Sequence, residues 1–178
     1  MARLEGTAAD DKGSVNEQKV DAEGRSLTRA LTEDDLAHAV KEGGGFTFHS
    51  DDGSAQANEE SWFLQNDGDD IFVDRIVINT DTASIFNIKR QTSGTAAGTV
   101  MEGRSMVAGD AIMSDVTAFG SNSVTGTVAG DDITSVNILA LTPVTVPLNG
   151  YKLPKGQGIF VETLTAGAVL ITGFVHRD

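Results

Sequence analysis

The run from Ile71 to Ile78, IFVDRIVI, constrains the fold of this chain more than any other stretch. Its β-branched and aromatic residues favour extended backbone, and its length suits a strand better than a helix. With side chains alternating, one face carries Ile71, Val73, Arg75 and Val77 and the other Phe72, Asp74, Ile76 and Ile78. Both faces are largely apolar, so the pattern predicts a strand covered on both sides. VLITGFV, residues 169–175, repeats it, with Val169, Ile171 and Val175 on one face and Leu170 and Phe174 on the other. A sandwich core covers only one face of each sheet. The pattern therefore asks for a second cover, from an N-terminal arm, from loops or from a neighbouring subunit.

Around these two runs the chain reads as strands and turns. Residues 1–29 are polar, charged and aperiodic, which predicts an arm that stays disordered unless something binds it. Thr32 as N-cap, the acidic first turn Glu33-Asp34-Asp35 and the Leu31/Leu36 staple predict a short helix over residues 33–41, ended by Gly43-Gly44-Gly45. From Phe46 the period changes to two. Strands are expected at 46–49, 61–65, 71–79, 85–91, 136–141, 144–146, 158–163 and 169–175, with turns at Asp51–Ser54 and Asn66–Gly68. The glycine-rich middle, 92–132, reads as loop with short strands at 111–113, 116–119 and 124–128. Eight to ten strands without a βαβ unit give an all-β fold, an antiparallel β-sandwich of jelly-roll type. It would span residues 46–178, behind an extended arm and short helix over residues 1–45.

Charge and composition narrow the function. Against 13 Lys and Arg stand 26 Asp and Glu, a formal net charge of −13 that repels phosphate backbones and anionic lipid, so neither nucleic acid nor membrane is an expected partner. The acidity is mostly aspartate and suits a saline, halophilic setting or plain solubility. With no cysteine there is no disulfide scaffold, thiolate metal site or cysteine nucleophile. The first 30 residues hold no apolar signal core and no stretch is long and apolar enough to span a bilayer, which points to folding in a cytoplasm.

The chemistry-bearing residues form no motif. His38, His49 and His176 have no common ligand spacing and read as surface or rim histidines. No Gly-x-Ser-x-Gly turn supports a Ser/His/Asp triad. Asp51-Asp52-Gly53, Asp67-Gly68-Asp69-Asp70 and Gly130-Asp131-Asp132 read as solvated turns, since the pattern of an EF-hand is missing. A glycosidase carboxylate pair would lie in an aromatic-lined cleft, and the chain has one Trp and one Tyr. Gly156-Gln157-Gly158 reads as a turn into a strand rather than a phosphate loop, and Trp62-Phe63 as core or interface anchors. No catalytic, cofactor or metal site is expected.

Residues 20–48 (VDAEGRSLTRALTEDDLAHAVKEGGGFTF) and 60–92 (ESWFLQNDGDDIFVDRIVINTDTASIFNIKRQT) resemble small jelly-roll virion proteins of tailed viruses. In that family an arm and a short helix precede a strand of the WFL…VDRIVI type. The closing LPKGQGIFVETLTAGAVLITGFVHRD, residues 153–178, is similar to the last hairpin of viral jelly rolls, whereas residues 93–132 carry no part of the likeness. The resemblance implies a non-enzymatic virion component that decorates or completes the capsid, as decoration, turret or head-fibre base. It would assemble as a homo-oligomer, trimer or pentamer, and hold the major capsid protein or other virion proteins through its arm. The alternative is a tail-associated or receptor- or carbohydrate-binding spike.

Overall fold

The computed structural model describes residues 17–20, 26–29, 40, 44–107, 113–125 and 129–177. Two sheets pack face to face. One has five strands: β3 (Gly45–Ala55), β5 (Ile71–Thr80), β8 (Arg104–Ser105), β11 (Val144–Leu153) and β13 (Gly167–His176), in the order β11-β5-β13-β3-β8. The other has six: β4 (Glu59–Asn66), β6 (Ser84–Ser93), β7 (Ala97–Val100), β9 (Val116–Thr125), β10 (Ala129–Ile138) and β12 (Gly158–Thr163), in the order β10-β6-β12-β4-β9-β7. All pairings are antiparallel. Without β7, β8 and β9, the orders β3-β13-β5-β11 and β4-β12-β6-β10 are those of an eight-stranded jelly roll, in agreement with the expected sandwich. The glycine-rich segment is the insertion that lengthens two sheet edges.

Between the sheets lies one core. Phe46, Phe48, Ile71, Val73, Ile76, Ile78, Val169, Ile171 and Val175 meet Trp62, Leu64, Phe86, Ile88, Ile138, Ile159 and Val161 from across the sandwich. On the other face of the six-stranded sheet, Phe63, Phe160 and Ala96 form a small second cluster joined by Phe119. Its cover is the stretch that leads from β6 into β7.

Strand β5 departs from simple alternation, and the departure changes its meaning. Phe174 pairs with Arg75 and Val175 with Val73, leaving Asp74 as an extra residue. On the other side Pro147 pairs with Arg75 and Tyr151 with Val73, so Leu148, Asn149 and Gly150 bulge out. This double irregularity switches the phase of the strand, so that Ile71 and Val73 before it and Ile76 and Ile78 after it all face the same core. Outward remain half-buried Phe72 and Val77, with Arg75 lying 4.4 Å from the centre of the Phe174 ring. Less apolar surface therefore needs an outside cover than strict alternation predicted. β13 alternates as expected and leaves Leu170 39% exposed.

Three other expectations change. Asp51–Ser54 is no turn but part of β3, with the reversal moved to Gln56–Asn58, where Asn58 has φ 60°. Residues 92–132 hold the ten-residue strand β9 and the first four residues of β10, so Gly130-Asp131-Asp132 is strand and not loop. Within the arm, β1 (Glu17–Val20) and β2 (Ser26–Arg29) pair as a two-stranded ladder. Val20, Leu27 and Thr28 favour extended backbone, although an isolated pair this short has marginal stability. The expected helix over 33–41 lies outside the described residues except for Val40, which is helical.

The edges are blunted. β11 carries Pro147 and β10 carries Asp131 and Asp132, with register shifts near Gly130 and between Asp132 and Thr134. Such features oppose open-ended strand addition.

Candidate functional site

Neither histidine within the described residues meets another in a metal site. His49 is exposed on β3, its Nδ1 2.9 Å from Thr172 Oγ1. His176 corrects the expectation of a rim histidine: it is 3% exposed, 2.8 Å from Asp74 Oδ2 through Nδ1, and stacked on Phe72 with ring centres 5.1 Å apart. The Asp74 bulge is what brings that carboxylate to it. His38 lies outside the described residues. Among the described residues no group of three or more His, Asp or Glu is arranged to hold a metal ion, and no helix is long and apolar enough to cross a membrane.

The three aspartate motifs separate. Asp67-Gly68-Asp69-Asp70 forms the β4–β5 turn, with Asp67 accepting from Thr117 and Asp70 2.6 Å from Lys152 Nζ. Asp131 pairs with Arg90 at 3.0 Å across β10 and β6. Asp52 is buried in β3, where Oδ1 accepts the Ser54 amide at 3.0 Å while Oδ2 has no hydrogen-bond partner.

The six-stranded sheet brings together two carboxylates that no spacing in the sequence connects. Glu162 on β12 sits opposite Glu60 on β4 and opposite Asn87 on β6. Lys89 Nζ lies 2.8 Å from Glu162 and 3.8 Å from Asp132, and Asn87 donates to Glu162 at 2.9 Å. Burial raises the Glu60 pKa; its own backbone hydrogen bond offsets part of this, and Glu162 and Glu59 add to it. Burial acts in the same direction on Glu162, but the hydrogen bonds from Lys89 and Asn87 and the Lys89 charge outweigh it, so that carboxyl titrates below its usual range. Divergent carboxylates suit acid–base chemistry only beside a substrate cleft. This pair lies on an open sheet face and lines neither of the two grooves described below.

The pair has a measurable consequence. A raised pKa in the folded state means that the Glu60 contribution is fully present below the unfolded pKa and is lost as pH rises through the folded one. Glu60→Gln should therefore stabilise the fold at pH 7 by less than about 1 kcal/mol, the group being half exposed, and change nothing below about pH 4. Thermal melts at both pH values check this.

Two open grooves are lined by described residues. The smaller, about 360 Å³, lies between β3 and β7 and is lined by His49, Val100 and Arg104 among others. The larger, about 630 Å³, sits where β4, β6 and the β11–β12 turn meet and is lined chiefly by Gln65, Arg90, Gln91, Thr92 and Gln157.

Among the described residues, four of the six exposed large apolar side chains lie toward the opposite end of the sandwich, Val100 and Met106 lying elsewhere. Leu139 and Leu141, 68% and 77% exposed, form the β10–β11 loop. Ile85, 43% exposed, is the second residue of β6, next to Ser84, which pairs with Ile138. Leu170 pairs with Asn79 at the end of β5, and Leu141 donates its amide to the adjacent Thr80 carbonyl at 2.7 Å. Leu141 holds φ 59°, a left-handed conformation that costs a side-chain-bearing residue about 1–2 kcal/mol.

No family of proteins, no curated protein sequence and no solved structure matches the chain.

Proposed function

We propose that this protein is a non-enzymatic structural subunit of a tailed-virus particle, decorating or completing the capsid through contacts between copies of itself. The observation that carries the reading is the apolar end formed by Ile85, Leu139, Leu141 and Leu170. A strained, largely exposed leucine on an otherwise acidic chain is hard to explain as solubility, whereas burying each such side chain is worth about 1.5–3 kcal/mol. The jelly-roll strand order and the likeness of residues 20–48 and 60–92 to virion proteins support the same assignment, the fold by analogy only. The assembled state is a trimer or pentamer located in the virion.

Sedimentation at micromolar concentration should show a closed oligomer that strengthens from low to molar salt, because screening relieves the repulsion among subunits of charge −13. Leu139→Asp should give a monomer with an unchanged melting profile. Leu141→Gly should weaken association while relieving the φ strain, so its Tm should hold or rise. A wild-type monomer in both salts would overturn self-association. Mass spectrometry of purified particles of the encoding virus should find the chain in symmetric copy number, and its absence would overturn the virion assignment.

The arm is assigned to holding the major capsid protein. The sandwich begins at Gly44, whose carbonyl accepts the Arg177 amide at 3.1 Å. Deleting residues 1–43 should leave a folded sandwich, seen as an unchanged far-ultraviolet dichroism spectrum, that no longer enters particles.

A further inference from the structure

We infer that the larger groove binds a neutral, polyhydroxylated ligand, a short segment of uncharged glycan. Its volume of about 630 Å³ lies within the range of small-molecule sites, and its lining selects the chemistry. Gln65 and Gln157 each offer a carbonyl acceptor and two amide donors, Gln91 offers its carbonyl and the one N–H it does not give to Gly94, and the Thr92 hydroxyl, which donates to the Ala129 carbonyl, offers its lone pairs. Sugar hydroxyls donate and accept at once, so this set matches them without requiring charge. Arg90, the one cation among the described lining residues, is already paired with Asp131 at 3.0 Å. Among the described residues no carboxylate and no aromatic side chain lines the groove, which leaves a cation without an anchor and a flat apolar ligand without a stacking surface. The net charge of −13 further disfavours an anion.

The groove is also built in place. Gln91 donates to the Gly94 carbonyl at 3.0 Å. Its side chain lies over Gly158, where a Cβ would come within 2.2 Å of Gln91 Oε1, so glycine there is what lets the amide lie flat as the floor. The opposite wall, the β11–β12 turn, is fastened by the Gly156 amide to Asn66 O at 2.6 Å and the Asn66 amide to Gln157 O at 3.0 Å. The Gln91 amide and the backbone that carries Gln157 are thus ordered before the ligand arrives, which lowers the cost of binding. Without an aromatic platform each groove binds weakly, and repetition around an oligomer multiplies its effect. The inference does not rest on the virion assignment.

The test is a titration of the full chain, labelled with nitrogen-15, with maltohexaose, mannohexaose, galactohexaose and chitohexaose, and separately with a heparin hexasaccharide. At least one neutral hexasaccharide should give saturable shifts at the side-chain amides of Gln65, Gln91 and Gln157, with dissociation constants of about 1 mM. The double variant Gln65→Ala/Gln157→Ala should bind about tenfold more weakly or less, with the rest of its spectrum unchanged. Saturable shifts with heparin alone, shifts that persist unaltered in the double variant, or no response at these amides to any of the neutral probes would each overturn the inference.

Discussion

Trp62→Ala should cost about 3–5 kcal/mol, the range for emptying a large aromatic site in a core, and lower the Tm by roughly 10–20 °C. Trp62 is the single tryptophan of the chain and is fully buried between the sheets. Its indole N–H donates to the Phe48 carbonyl at 3.2 Å, so the substitution both opens a cavity and removes a donor from a buried acceptor. Domains of this size are stable by about 5–15 kcal/mol, so the loss takes a large share of the total. Dichroism melts follow it without needing indole fluorescence, and a loss below about 1 kcal/mol would contradict a core organised on this ring.

The same contact can be pressed from the other side. A Cβ at Gly173 would lie 2.4 Å from Trp62 Cζ2, and the hydrogen bond to Phe48 limits how far the ring can retreat. Gly173→Ala should therefore cost about 1–3 kcal/mol by overpacking. Combining it with Trp62→Phe, whose smaller ring leaves room, should cost less than the two single changes added, as expected of residues in direct contact.

What could be read in the sequence was whatever local pattern decides. The runs at 71–78, 158–163 and 169–175 are strands because β-branched and aromatic residues crowd them, and Trp62 and Leu64 enter the core as their alternation requires. The reading failed where local chemistry and long-range pairing disagree. Asp51-Asp52-Gly53-Ser54 has the residues of a turn, and Asp52 does make a turn-like bond to the Ser54 amide, yet β13 pairs with this segment and holds it extended. The Asp74 bulge is equally hidden: it is fixed by register with β11 and β13, some 70 to 100 residues away in the chain, and it sends apolar residues from both apparent faces of β5 into one core. The larger groove joins Gln65, Arg90 to Thr95 and Gln157, and the carboxylate pair joins Glu60 and Glu162. Each set meets only because β12 inserts between β4 and β6, a strand order that no spacing announces.

The second large effect is expected at Asn66, which is fully buried at the end of β4 and joins two turns. Its Nδ2 donates to the Asp69 carbonyl at 2.9 Å and the Leu153 carbonyl at 2.8 Å, while its Oδ1 accepts the Gly68 amide at 3.0 Å. Asn66→Ala removes all three bonds and strands the two carbonyls and the amide, which should cost about 2–4 kcal/mol. Asn66→Asp keeps the acceptor and the shape but turns an oxygen toward two carbonyls, so at neutral pH a buried negative charge faces two negative dipoles and the cost should exceed that of alanine. The signs then separate the two variants. In the aspartate variant the folded state favours the protonated acid, which restores a donor, so its pKa is raised and its stability is recovered below the unfolded pKa and lost as pH rises through the folded one. Its deficit relative to wild type should shrink between pH 7 and pH 4, whereas the alanine deficit should not. Since Asn66 also fastens the turn carrying Gly156 and Gln157, hydrogen exchange of those amides should quicken in both variants. A deficit for Asn66→Asp that does not change with pH would mean that the amide is not enclosed by the two carbonyls, and the floor and wall of the groove would then lack their common anchor.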